Sequence, residues 1–106
     1  MTEHSGRKAD DSLRHRRLRR ELHRFAQQME DNLRQDGRTW LGTDPAELEI
    51  RLLDELEELR DAFRRWRSDP VPVRMVEIER EAANVANAAL MLADCVHCRT
   101  TGGSHD

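Results

Sequence analysis

Residues 44–67 read DPAELEIRLLDELEELRDAFRRWR. Leu48, Leu52, Leu56, Leu59, Phe63 and Trp66 recur there at steps of three and four, the period of one helical face. Asp44 stands where an N-cap belongs, Pro45 suits the first turn, and Glu47 completes a box-like start. Nothing breaks the pattern before Ser68-Asp69-Pro70-Val71-Pro72. A helix over about 45–67 is therefore expected.

The flanks carry the same period. On the N-terminal side Leu18, Leu22, Phe25, Met29 and Leu33 form one stripe, with Gly37 placed to end it, so a helix over about 11–36 is expected. On the C-terminal side Ile78, Ala82, Val85, Ala89, Leu92 and Val96 form another, over about 73–97. Three amphipathic helices joined by short links predict an all-α helical bundle over residues 11–98. The polar residues 1–10 read as disordered, and 99–106 as a flexible tail. Helices this highly charged leave apolar surface uncovered, so completion of the bundle by a dimer or higher oligomer is expected.

With 106 residues the chain supports one domain. Charged residues make up 37% and aromatic residues only 4%, which disfavours a sheet. The five glycines, at 6, 37, 42, 102 and 103, form no phosphate-cradling loop, and no Gly-x-Ser-x-Gly elbow is present. No apolar run is long enough for a membrane span, and the first residues lack the apolar centre of an export signal. Two cysteines in such a chain fit a reducing cytoplasm.

The chemistry is expected along the edge of two helices. At about 100° per residue, Glu55 and Glu58 stand about 60° apart, Glu55 bordering the apolar stripe. Glu81 borders the stripe of the next helix, and Asn84 lies three residues on along the outer side. If the stripes pack together, both polar shoulders meet along one seam. Carboxylates gathered at a core edge repel one another and lose hydration. A hard divalent cation, Mg²⁺ or Mn²⁺, relieves both penalties and can also hold phosphate. A plainly solvated acidic face is the competing reading.

Leu52-Leu53-Asp54-Glu55-Leu56-Glu57-Glu58-Leu59, followed by Glu81-Ala82-Ala83-Asn84-Val85-Ala86-Asn87, resembles the MazG-like family of all-α nucleoside triphosphate pyrophosphohydrolases, in particular its short members common in phages and prophages. The likeness extends from Phe25-Ala26-Gln27-Gln28-Met29-Glu30 through Trp40 to Met91-Leu92-Ala93-Asp94, about residues 22–95 in all. It implies a helical bundle, assembled as a homodimer or homotetramer, that uses Mg²⁺ to cleave an NTP or dNTP into a monophosphate and pyrophosphate. By the same resemblance Glu55, Glu58 and Glu81 would be catalytic metal ligands, with Asn84 at the fourth ligand position and Asn87 at a nucleotide-contacting one. Two residues depart from the family pattern. Asn84 stands where the family has Asp, which removes one charge and implies a weakened or inactive site; Asp54 replaces the first Glu of the pair.

Other features have two readings each. Trp40 fits simple packing, but in a loop near the proposed site it also offers a ring for stacking on a base, and Arg38 beside it a guanidinium for phosphate. Arg14, Arg16, Arg17, Arg19, Arg20 and Arg24 make the start of the first helix basic. That pattern supports the alternative function, a non-enzymatic module binding nucleic acid or a protein partner through this helix. The net charge of −3 favours a solvated or intersubunit face instead. Cys95-Val96-His97-Cys98 resembles half of a zinc site, but no second Cys pair exists, and a helix end is the expected reading.

Overall fold

The computed structural model describes residues 18–37 and 39–102. Every regular element among them is helical: α1 (Arg20–Asp36), α2 (Pro45–Ser68) and α3 (Pro72–His97), followed by a π-helical turn over Cys98–Gly102. None of these helices is long and apolar enough to cross a membrane.

The boundaries follow local chemistry. Asp44 Oδ1 accepts the backbone N–H of Ala46 at 3.0 Å and caps α2, with Pro45 in the first turn. Asp44→Ala is expected to destabilise the protein by about 1 kcal/mol in urea denaturation, the usual worth of such a cap. Gly37 takes φ +67° at the end of α1 and donates its N–H to Leu33 O at 3.0 Å, a conformation that favours glycine. Pro70 ends α2, and Pro72 opens α3 one residue ahead of the expected start.

α1 begins at Arg20, later than its sequence pattern predicts; Leu18 and Arg19 precede it without helical geometry, and no side chain caps its start. Residues 11–17, which the sequence places in this helix, lie outside the described residues, as do 1–10 and 103–106. The stretch from Arg99, expected as a flexible tail, stays helical to Gly102. Thr101 Oγ1 donates back to His97 O at 2.7 Å there, a local bond that holds the wider turn.

α3 is the central helix. α2 packs along it over the longest seam and α1 packs on it separately. Small residues line the packed faces: Ala62 on α2 and Ala83 and Ala88 on α3 are fully buried, and side chains of this size permit close backbone approach. Leu48, Met91 and Cys95 form the larger core cluster, with Leu33, Trp40 and Leu92 packed against it. Cys95 also donates its thiol to Thr43 O at 3.2 Å, and Trp40 Nε1 donates to Asp94 Oδ2 at 2.8 Å. These two bonds fasten the α1–α2 loop to α3.

The seam is turned relative to the sequence expectation. On α2 the most enclosed line runs through Leu48, Glu55 and Ala62, with Leu52, Leu59 and Trp66 half-buried beside it. Leu56 and Phe63, expected inside, are 44% and 48% exposed. Each follows a residue of the enclosed line by one position, about 100° round the helix. On α3 the enclosed line is Ala83, Asn87, Ala88, Met91 and Cys95, while Ala89 and Val96 are exposed. The rotation moves Glu55 from the border of the core onto the seam itself.

Candidate metal centre

Glu55 and Glu58 come from the middle of α2 and Glu81 from the facing turn of α3. One carboxylate oxygen from each lies within 4.8 Å of the other two. They are the only group of three or more potential His, Cys, Asp or Glu ligands so gathered among the described residues. Two oxygens on opposite sides of an octahedral Mg²⁺ are about 4.2 Å apart, given bonds of about 2.1 Å. Small side-chain rotations would therefore close the three around an ion.

The electrostatics of the cluster centre on Glu55. Burial pushes the Glu55 carboxyl above its ordinary range; Glu58 and Glu81, and then Asp54, add to the rise, and Arg51 opposes it. Glu55 Oε2 is buried and has no hydrogen-bond partner. A buried carboxylate oxygen without a partner carries a desolvation cost when the group is ionised.

Asn84 is close by but turned. Its Nδ2 faces Glu81 Oε1 at 3.4 Å, while its Oδ1 accepts from Asn32 Nδ2 at 2.8 Å. Asn32 in turn accepts from Gln28 Nε2 at 2.8 Å, so a one-way chain of amides runs from α1 to the Glu81 carboxylate. The oxygen expected to ligate is thus engaged by α1, and ligation by Asn84 requires its amide to turn over. Glu77, on the same shoulder of α3, is not part of the cluster. It pairs with Arg74 at 3.0 Å and Arg65 at 3.8 Å, and the Arg74 hydrogen bond holds its carboxyl below the ordinary range.

Two cavities share Glu55 and Arg51 in their walls, and neither is lined by Glu58 or Glu81. One, of about 430 Å³, is lined by Thr39, Trp40, Thr43, Glu47, Leu48, Ile50, Arg51, Asp54 and Glu55. The other, of about 170 Å³, lies among all three helices and is lined by Asn32, Leu33, Asp36, Arg51, Glu55, Asn84, Asn87 and Met91. Asn87 is 4% exposed; its Nδ2 donates to Met29 O at 3.0 Å, and its Oδ1 has no partner. Trp40 therefore has a double position, packed on the core and forming cavity wall.

Comparison with protein-family models, curated proteins and solved structures finds no match.

Of the sequence-derived candidates, Glu55, Glu58 and Glu81 converge, Asn84 adjoins Glu81, and Trp40 and Asn87 line the two cavities. Arg38 lies outside the described residues, as does much of the basic run; Arg19, Arg20 and Arg24 are exposed. Cys95 is buried and Cys98 exposed, and both are free thiols. Sequence reasoning missed Asn32 and Arg51. The signal for Asn32 was a polar row at four-residue steps, Gln28, Asn32 and Asp36, beside the apolar stripe of α1.

Proposed function

We propose that this chain is a Mg²⁺- or Mn²⁺-dependent nucleoside triphosphate pyrophosphohydrolase of the MazG-like kind, slowed by Asn84. The convergence of Glu55, Glu58 and Glu81 from two helices, with one buried and unpartnered carboxylate oxygen among them, carries the reading. The resemblance across residues 22–95 supplies the substrate class.

Glu55, Glu58 and Glu81 hold the ion in this reading. An ion held there would supply screening of the phosphate charge and activation of a water. One of the three carboxylates accepts the water's proton as the water oxygen attacks the α-phosphorus. The α–β bridging bond breaks, and pyrophosphate leaves. Trp40 in the wall of the larger cavity and Asn87 in that of the smaller are the side chains this reading assigns to the nucleoside, one for stacking and the other for hydrogen bonding. The exposed Leu56 and Phe63, with Leu53 and Ile50, suit burial against a second copy of the chain, giving the homodimer or homotetramer that the reading includes. The free thiols fit the reducing cytoplasm, where nucleotide pools lie.

The test is pyrophosphate release from a panel of NTPs and dNTPs with Mg²⁺ or Mn²⁺. The parent chain is expected to turn over slowly. Asn84→Asp restores a fourth charge and is expected to raise kcat/KM by about tenfold or more, a change of about 1.4 kcal/mol. Absence of pyrophosphate from both proteins, with every nucleotide, would overturn the proposal.

A further inference from the structure

We propose that Arg51 is a phosphate-binding residue of this site, latched on Asp36 and exchanged onto the oxygens of a metal-held di- or triphosphate. The inference rests on the metal-centre reading above. Arg51 lies one helical turn before Glu55 and shares with it the walls of both cavities. It is the one cation among the described residues lining them.

Charge gives it a task. Three ionised glutamates and one divalent ion leave one net negative charge, a poor field for an anionic phosphate chain. Asp54 and Glu47 line the larger cavity as well, and Asp36 the smaller, so a phosphate chain needs a cation brought to it, and moving the Arg51 guanidinium from Asp36 onto the phosphate supplies one. Its Nη2 lies 3.1 Å from Asp36 Oδ2, with the two side chains 29% and 25% exposed. The pair is thus half-wet, a setting in which partners can exchange without stranding a buried charge. A guanidinium carries five N–H groups in a planar fork, and the bond to Asp36 runs through Nη2. A fork of this kind matches phosphate oxygens two at a time.

Calorimetric titration of the full chain, first with Mn²⁺ and then with inorganic pyrophosphate in the presence of Mn²⁺, tests this. Arg51→Met is expected to weaken pyrophosphate binding about tenfold or more, the loss of a charge-assisted bidentate contact, while Mn²⁺ binds as well as before or better. Arg51→Lys, which keeps the charge and loses the fork, is expected to fall between. Asp36→Asn unlatches the arginine and is expected to tighten pyrophosphate about threefold, within the usual range for one surface ion pair. A non-hydrolysable triphosphate analogue is expected to follow pyrophosphate through the series. Mn²⁺ uptake with pyrophosphate affinity unchanged in Arg51→Met would overturn the Arg51 assignment alone. So would a parallel loss of both affinities in Arg51→Met and Asp36→Asn, the mark of a strut between α1 and α2. A parent chain that takes up no Mn²⁺ would overturn the metal-centre reading beneath it.

Discussion

Glu55→Gln is expected to melt higher than the parent at neutral pH in the absence of metal, and to lose the response to Mn²⁺. Glu55 is held above its ordinary value of 4.5 by burial first and by Glu58 and Glu81 next. Its folded form therefore holds a proton that the unfolded chain releases. Over the pH range from 4.5 up to the raised value, the native state binds more protons, so stability falls as pH rises and stays lower above that range. Glutamine removes this loss, and its amino group can donate to the neighbouring carboxylates. The metal effect has the opposite sign. An ion at about 100 times its Kd stabilises the folded parent by about 2.7 kcal/mol. For a domain of this size that raises Tm by roughly 10 °C or more. Thermal melts of both proteins in chelator and in Mn²⁺, across the acid-to-neutral range, check both signs. An equal Mn²⁺ response in the two proteins would contradict the assignment.

Met91→Ala is expected to be the most destabilising single truncation, by about 2–5 kcal/mol in urea denaturation. Met91 is 2% exposed and packs with Leu48 and Cys95 where α2, α3 and the α1–α2 loop meet. It also lines the 170 Å³ cavity, so the space left by truncation joins an existing void and cannot readily collapse. Against a typical stability of about 5–15 kcal/mol the loss leaves little. Phe63→Ala provides the contrast. Phe63 is 48% exposed and stacks on Trp66 at 6.1 Å between ring centroids, so within one chain its removal costs little. A large cost for Phe63→Ala that grows with protein concentration would place that face in the interface between copies. A cost below about 1 kcal/mol for Met91→Ala would show the core assigned here to be wrong.

The helices were legible because their punctuation is strong. Asp44-Pro45, Gly37 and Pro70 act through backbone chemistry that does not depend on the rest of the fold. The convergence of Glu55, Glu58 and Glu81 was legible too, since residues three apart on a helix share a shoulder whichever way the helix is turned by a few tens of degrees.

The rotation of the seam was not legible. α2 carries Leu and Phe on more than one stripe, so apolarity alone does not fix which one faces α3. The structure selects the line of Leu48, Glu55 and Ala62 and leaves larger apolar side chains outside it. That choice put Glu55 on the seam, orphaned one of its oxygens, and exposed Leu56 and Phe63. The contribution of α1 was also hidden. Asn32 reaches Asn84 across 52 residues, and Asp36 reaches Arg51 across a loop, pairings that no local period encodes. The start of α1 was overestimated because its stripe continues through Leu18 although no cap stands before Arg20.

The most direct measurement is a Mn²⁺ titration of the metal-free parent chain, read by the electron paramagnetic resonance of the free ion, beside Glu81→Gln. Uptake of about one ion per chain is expected of the parent in the micromolar-to-millimolar range open to carboxylate sites, with uptake at least about tenfold weaker in Glu81→Gln. No uptake by the parent at millimolar Mn²⁺, or equal uptake by both proteins, would contradict the metal-centre reading.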